Sequence, residues 1–138
     1  MQQPKKPRGL PSPRELRDLQ VEIEFFEGLL QRDPENQDAL RALGDDYTRA
    51  QRHDDSLRVD ETLVRMLPND SDIHYNLACS YARTSQFERA VETLHRSMDL
   101  GFRDFDWLDT DPDLSQLRSH PLYRGVRAKM RALQRCKH

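Results

Sequence analysis

Apolar residues along this chain recur at three- and four-residue steps with polar residues between them, the spacing of an amphipathic helix rather than a strand. Leu16, Leu19, Ile23, Phe26, Leu29 and Leu30 keep this step from Ser12 to Asp33-Pro34. Four more helices are predicted near 37–50, 54–66, 71–84 and 87–100, forming two hairpins. Pro68 ends the first hairpin because it cannot continue a helix, and Gly101 ends the second because it accepts a left-handed cap. Beyond Gly101, Asp104 to Leu108 reads as a short helical turn, and Asp111-Pro112 as an N-cap and first helical position. Pro121 is expected to open a last helix running to about Arg135, with Leu122, Val126, Met130 and Leu133 as its apolar stripe.

The two hairpins echo each other at a spacing of 34 residues. Leu43, Gly44, Tyr47, Ser56, Leu63 and Pro68 are answered by Leu77, Ala78, Tyr81, Ala90, Ser97 and, more weakly, Phe102. A fixed period of this size marks a repeat architecture, in which a helix pair buries its apolar face only when a neighbour stacks on it. Small residues at Gly44, Ala78, Ser56 and Ala90 let helix backbones approach, and Leu43, Leu77, Tyr47 and Tyr81 fill the remaining volume. The phase extends backwards, because Ile23, Phe26, Leu29 and Pro34 precede Leu57, Asp60, Leu63 and Pro68 by the same step. The helix at 16–32 therefore reads as the second half of a degenerate repeat. Its first half would fall on Pro4, Pro7, Gly9, Pro11 and Pro13, where no helix can form, so residues 1–13 are expected to be a disordered Pro-rich tail.

This pattern resembles the tetratricopeptide repeat family. In residues 37–70 the signature places hold Leu40, Leu43, Gly44, Tyr47, Ser56, Leu63 and Pro68, with Asp60 where a large apolar residue is usual. In residues 71–104 the run HYNLACSYARTSQFERAVETL supplies Leu77, Ala78, Tyr81, Phe87, Ala90 and Leu94. The later run DLGFRDFDWLDTDPDLSQLRSHPLY is similar to the segment that closes many bacterial arrays of this family. The resemblance implies an all-α fold, a right-handed α-α superhelix that forms a short solenoid of antiparallel hairpins. It implies one domain over 14–138: a half-repeat helix at 14–34, repeats at 37–70 and 71–104, and capping helices at 105–138.

The resemblance also implies a non-catalytic module for protein–protein interaction, in which the first helix of each hairpin lines a concave groove for a peptide or protein partner. Carried over place by place, that groove would show Asp38, Arg41, Asp45, Thr48 and Arg49 from the first repeat. From the second it would show Asp72, Tyr75, Asn76, Cys79 and Arg83. Arg41 and Asn76 fall at two places of the clamp with which some relatives grip a terminal carboxylate, but Asp45 stands where that clamp has Asn and would repel the carboxylate. The expected partner is therefore a neutral helix or a ligand with some positive charge.

Composition agrees with a scaffold. Charged residues are 33% of the chain and aromatics 7%, which suits thin apolar stripes and a large solvated surface better than a deep catalytic pocket. The net charge of -2 hides an asymmetry, since residues 118–138 hold seven bases and no acid. Arg124, Arg127, Lys129, Arg131, Arg135 and Lys137 lie around the last helix and are read as balancing an acidic exterior. Nucleic-acid association through Arg124, Arg127, Arg131 and Arg135 is the alternative from another class, and self-assembly into a homodimer through an open end helix is a third.

No motif for catalysis is present. His53, Asp54 and Asp55 occupy a hairpin turn where Asp caps a helix start, and His74 and His95 lie on different helices without a partner series. Asp104, Asp106, Asp109, Asp111 and Asp113 lack the glycine and terminal glutamate of a calcium loop and read as caps. Cys79 and Cys136 are expected to be free thiols. No cofactor, metal site or membrane segment is expected, and the chain is expected to be soluble and cytoplasmic.

Overall fold

The computed structural model describes residues 9–136, whose regular structure is helical with no strand among them. The expected tail is thus outside the described residues as far as Arg8, as is Lys137. Contacts divide the chain into two compact units that join in sequence at Pro68-Asn69.

The unit ending at Pro68 holds three helices, α1 Pro13–Arg32, α2 Gln37–Arg49 and α3 His53–Met66. Each start has a local cause. Ser12 accepts from Glu15 N at 3.1 Å while Glu15 reaches back to Ser12 N, a reciprocal cap, with Pro13 in the first turn. Asn36 caps α2 by accepting from Ala39 N at 2.9 Å. Ile23 is the fully buried residue of α1, and α2 is tied to α1 where the Tyr47 hydroxyl donates to Glu27 at 2.5 Å. Burial, then the Glu27 carboxylate, pushes the Tyr47 phenol up to about 12, so it donates throughout the physiological range. Between α2 and α3 the predicted close approach is present: a Cβ built on Gly44 would meet Val59 Cγ1 at 3.4 Å, and Ser56 Oγ lies 2.7 Å from Thr48 Oγ1.

The second unit repeats this hairpin in α4 Ser71–Arg83 and α5 Phe87–Asp99. Ala78 and Ala90, the small echoes of Gly44 and Ser56, are completely buried. Ala90→Leu therefore has no space to enter and is expected to cost about 1–3 kcal/mol, read as a lowered thermal midpoint. The turns inside the two hairpins match in detail. Gln51 and Ser85 both take left-handed φ, 64° and 60°. Behind them Arg52 N donates to Tyr47 O and Gln86 N to Tyr81 O, each at 2.8 Å, which satisfies carbonyls that the ending helix leaves orphaned. Gly101 closes α5 at φ 114°, as expected of it.

After Gly101 come α6 Phe105–Thr110, a 3₁₀ turn at Pro112–Leu114, α7 Ser115–Arg118 and α8 Tyr123–Arg135. The last helix corrects the expectation. Pro121 and Leu122 form a turn in which Leu122 N donates to His120 Nδ1 at 3.2 Å and Tyr123 N to His120 O at 3.0 Å. Val126 and Met130 are buried as expected, but Tyr123 takes the first place of the apolar stripe and Leu122 is exposed. With this face α8 lies on α5, where Lys129 pairs with Asp99 and a Cβ on Gly125 would sit 3.6 Å from His95 Nε2. Among the described residues no helix is long and apolar enough to cross a membrane.

Candidate functional site

The candidate groove residues lie on the first helix of each hairpin, and each unit has its own arrangement. On α2, Asp38, Arg41 and Asp45 are exposed, one helical turn apart along one side. Thr48 is turned inward: its hydroxyl donates to Gly44 O at 3.0 Å and meets Ser56, so it belongs to the hairpin contact. Arg49 reaches back to α1 and pairs with Glu15 at 2.5 Å. The Ser12 backbone and then Arg49 hold the Glu15 carboxyl below the usual carboxylate range. The open part of this face is thus Asp38, Arg41 and Asp45.

A neighbouring acid cluster emerges only in three dimensions. Asp46 of α2 lies beside Glu22 of α1, and burial, then Glu22, then Asp45 raise the Asp46 carboxyl to about 7. A carboxyl pKa raised in the folded state means that protonation favours folding, so this contribution is present in acid and lost as pH rises to about 7. Glu22→Gln is expected to raise the melting temperature at about pH 8 by the equivalent of up to about 1 kcal/mol and to change it little near pH 5. Paired thermal melts check this.

On α4 the expectation fails in part. Asp72 is exposed and Asn76 half-buried, but Tyr75 and Cys79, expected on an open groove wall, are 0% exposed. The chain itself covers them. Its Asp111–Leu114 segment runs over α4, with the Tyr75 hydroxyl donating to Asp111 Oδ2 at 2.6 Å and the Cys79 thiol to the same oxygen at 3.6 Å. One turn further on, Arg83 pairs with Asp113 at 2.8 Å. Asp111, itself buried, uses Oδ1 to accept from Asp113 N at 2.9 Å, and Arg118 donates to the carbonyls of Asp111 and Leu108 at 2.8 and 3.0 Å. Phe102 stacks on the Tyr75 ring at 4.4 Å. Burial, the Cys79 thiol and the Asp111 carboxylate all push the Tyr75 phenol well up, so it stays a donor.

A physical signal for this cover is visible at the 34-residue step. The first repeat has Arg41 and Asp45 where the second has Tyr75 and Cys79, an exchange of charge for aromatic ring and thiol that an exposed face does not need. Cys79, Asp111 and Asp113 bring a thiol and two carboxylates within 4.8 Å of one another. Tyr75 and Arg83 already serve those carboxylates, so the cluster is a closed polar network that fastens the segment. Cys79 is buried and Cys136 exposed, both as free thiols. Asp104 and Asp111 do act as caps, accepting from Trp107 N and Asp113 N.

On α8, Lys129 is committed to Asp99, and the Arg127 guanidinium lies 4.7 Å over the Tyr123 ring. Arg124, Arg131 and Arg135 are exposed.

No protein-family model matches the chain. The chain is similar to a chloroplastic protein of Arabidopsis thaliana, 24% identical over 108 residues. That match takes in 75% of this chain but only 31% of the plant protein, so the chain spans about a third of its relative's length. Among solved structures, MamA residues 41 to the end from Desulfovibrio magneticus RS-1 superimposes with a TM-score of 0.66 over 90% of this chain and 71% of its own, at 21% identity. That likeness shows an all-helical, tetratricopeptide-like fold.

Proposed function

We propose that the chain is a non-catalytic protein-interaction module of the cytoplasm that takes a peptide or partner protein on the first-helix face of its first hairpin. The observation that carries this reading is the segment on α4. Tyr75, Cys79 and Arg83 already hold a stretch of polypeptide there, through a hydroxyl, a thiol and a guanidinium. The same register on α2 presents Asp38, Arg41 and Asp45 to solvent with no such cover. Alternating charge on this row suits a short segment that carries both a base and an acid. Two free thiols accord with a reducing compartment. No cofactor enters the reading.

The test is a pull-down comparing the native chain with an Arg41→Glu, Asp45→Lys double variant. A partner that is lost from the variant while its thermal melt stays unchanged supports the reading; equal capture by both removes it. The bases of α8 serve the fold in this view, so a labelled oligonucleotide is expected to stay unbound near physiological ionic strength.

A further inference from the structure

The far side of α1 carries what the groove does not. Val21 and Phe25 are 69% and 61% exposed, one turn apart on the same side of the helix. By the 34-residue register, Glu22, Phe25 and Leu29 of α1 correspond to Ser56, Val59 and Leu63 of α3. In α3 those three are buried, with Val59 lying under Gly44 of the preceding helix. In α1 the matching side has Glu22 and Phe25 exposed and Leu29 half-buried, because no helix precedes it within its own unit. Residues 9–12, the described residues before α1, form no helix either.

Two further features mark this side as a seat. Gly28 follows Val21 and Phe25 at helical spacing, and a Cβ built there would meet nothing within 4 Å. A glycine inside a helix costs about 1 kcal/mol against alanine and here has no packing partner among the described residues, yet it leaves room for another backbone to come close. Beside Phe25, the Glu22 and Asp46 carboxyls are crowded together, and Asp46 Oδ2 is a buried oxygen with no hydrogen-bond partner. A cation from outside would answer both.

We infer that the Val21, Phe25 and Gly28 side of α1 receives an amphipathic helix of a partner protein, one with a small residue over Phe25 and a Lys or Arg that reaches Glu22 and Asp46. That helix takes the place that α2 takes against α3, and completes the half-repeat in trans.

The probe is a fluorescent peptide of residues 37–50, which carries Gly44 in first-helix register, with Asp45→Lys and Asp46→Lys introduced. Fluorescence anisotropy against the full chain is expected to show saturable binding that Phe25→Ala and Gly28→Leu each weaken by about tenfold or more. Gly28→Leu adds helix propensity at an open position, so its melting temperature is expected to rise while binding falls, which separates docking from folding. No saturable binding, or binding that ignores both substitutions, overturns the inference. Sedimentation that shows a concentration-dependent dimer dispersed by Phe25→Ala would make a second copy the occupant and also overturn it.

Discussion

Asp111→Ala is expected to cost the unit after Pro68 about 3–5 kcal/mol and to detach the segment that covers α4. The carboxylate, itself buried, accepts from the Tyr75 hydroxyl, the Cys79 thiol and Asp113 N. Truncation removes all three bonds at once, and a lost bond to a buried donor costs about 1–3 kcal/mol. Asp111→Asn keeps the shape and one acceptor, so its cost should stay near ~1 kcal/mol. Trp107 is the only tryptophan and belongs to α6 of this unit, which makes its fluorescence a specific reporter of denaturant unfolding there. A second readout is chemical. Cys136 is exposed and should react with a thiol reagent at once, whereas buried Cys79 should react only in the Asp111→Ala variant. Equal stability and equal thiol protection in that variant would show that the segment is held without the Asp111 carboxylate.

Tyr123→Ala is the second large effect, expected at about 3–5 kcal/mol, because the ring is fully buried and begins the face with which α8 meets α5. Here the hydroxyl and the ring separate. Tyr123 OH is buried with no hydrogen-bond partner, and burial, then Asp109, pushes its phenol up to about 12. Removing that group relieves an unsatisfied donor, so Tyr123→Phe should be neutral or stabilising by up to about 1 kcal/mol. Tyr75→Phe deletes a used hydrogen bond and should cost about 1–3 kcal/mol. Urea titrations of the tyrosine and aspartate variants place them in one order, and Tyr123→Phe falling below Tyr75→Phe would contradict the hydrogen-bond assignment.

The helices and the hairpin packing were legible because one rule acts twice. Gly44, Ser56, Ala78 and Ala90 are small where two backbones converge, and the chain states that requirement at a spacing of 34 residues. The left-handed turns at Gln51 and Ser85 were not legible, since neither is glycine and the backbone there is fixed by hydrogen bonds to Tyr47 O and Tyr81 O. The second half of the candidate groove was misplaced for a different reason. Asp111–Leu114 lies outside the repeating pattern, so register carried from the first hairpin left Tyr75 and Cys79 open, while the structure closes them. Leu122 and Tyr123 exchanged roles because His120, not Pro121, organises the turn into α8.

The bond between Tyr75 and Asp111 joins residues 36 positions apart, and this bears on how the chain is born. A ribosome releases polypeptide from its N-terminal end, at roughly 5–20 residues per second. Everything that α1, α2 and α3 bury against one another is available once Pro68 has left the exit tunnel. The hairpin that follows emerges with its aromatic ring and thiol still exposed to water, and waits for its acid and then for Tyr123. Nascent chains halted between Leu100 and Asp111 should therefore resist protease in their first half and be cut in their second, a window in which chaperones would meet this protein.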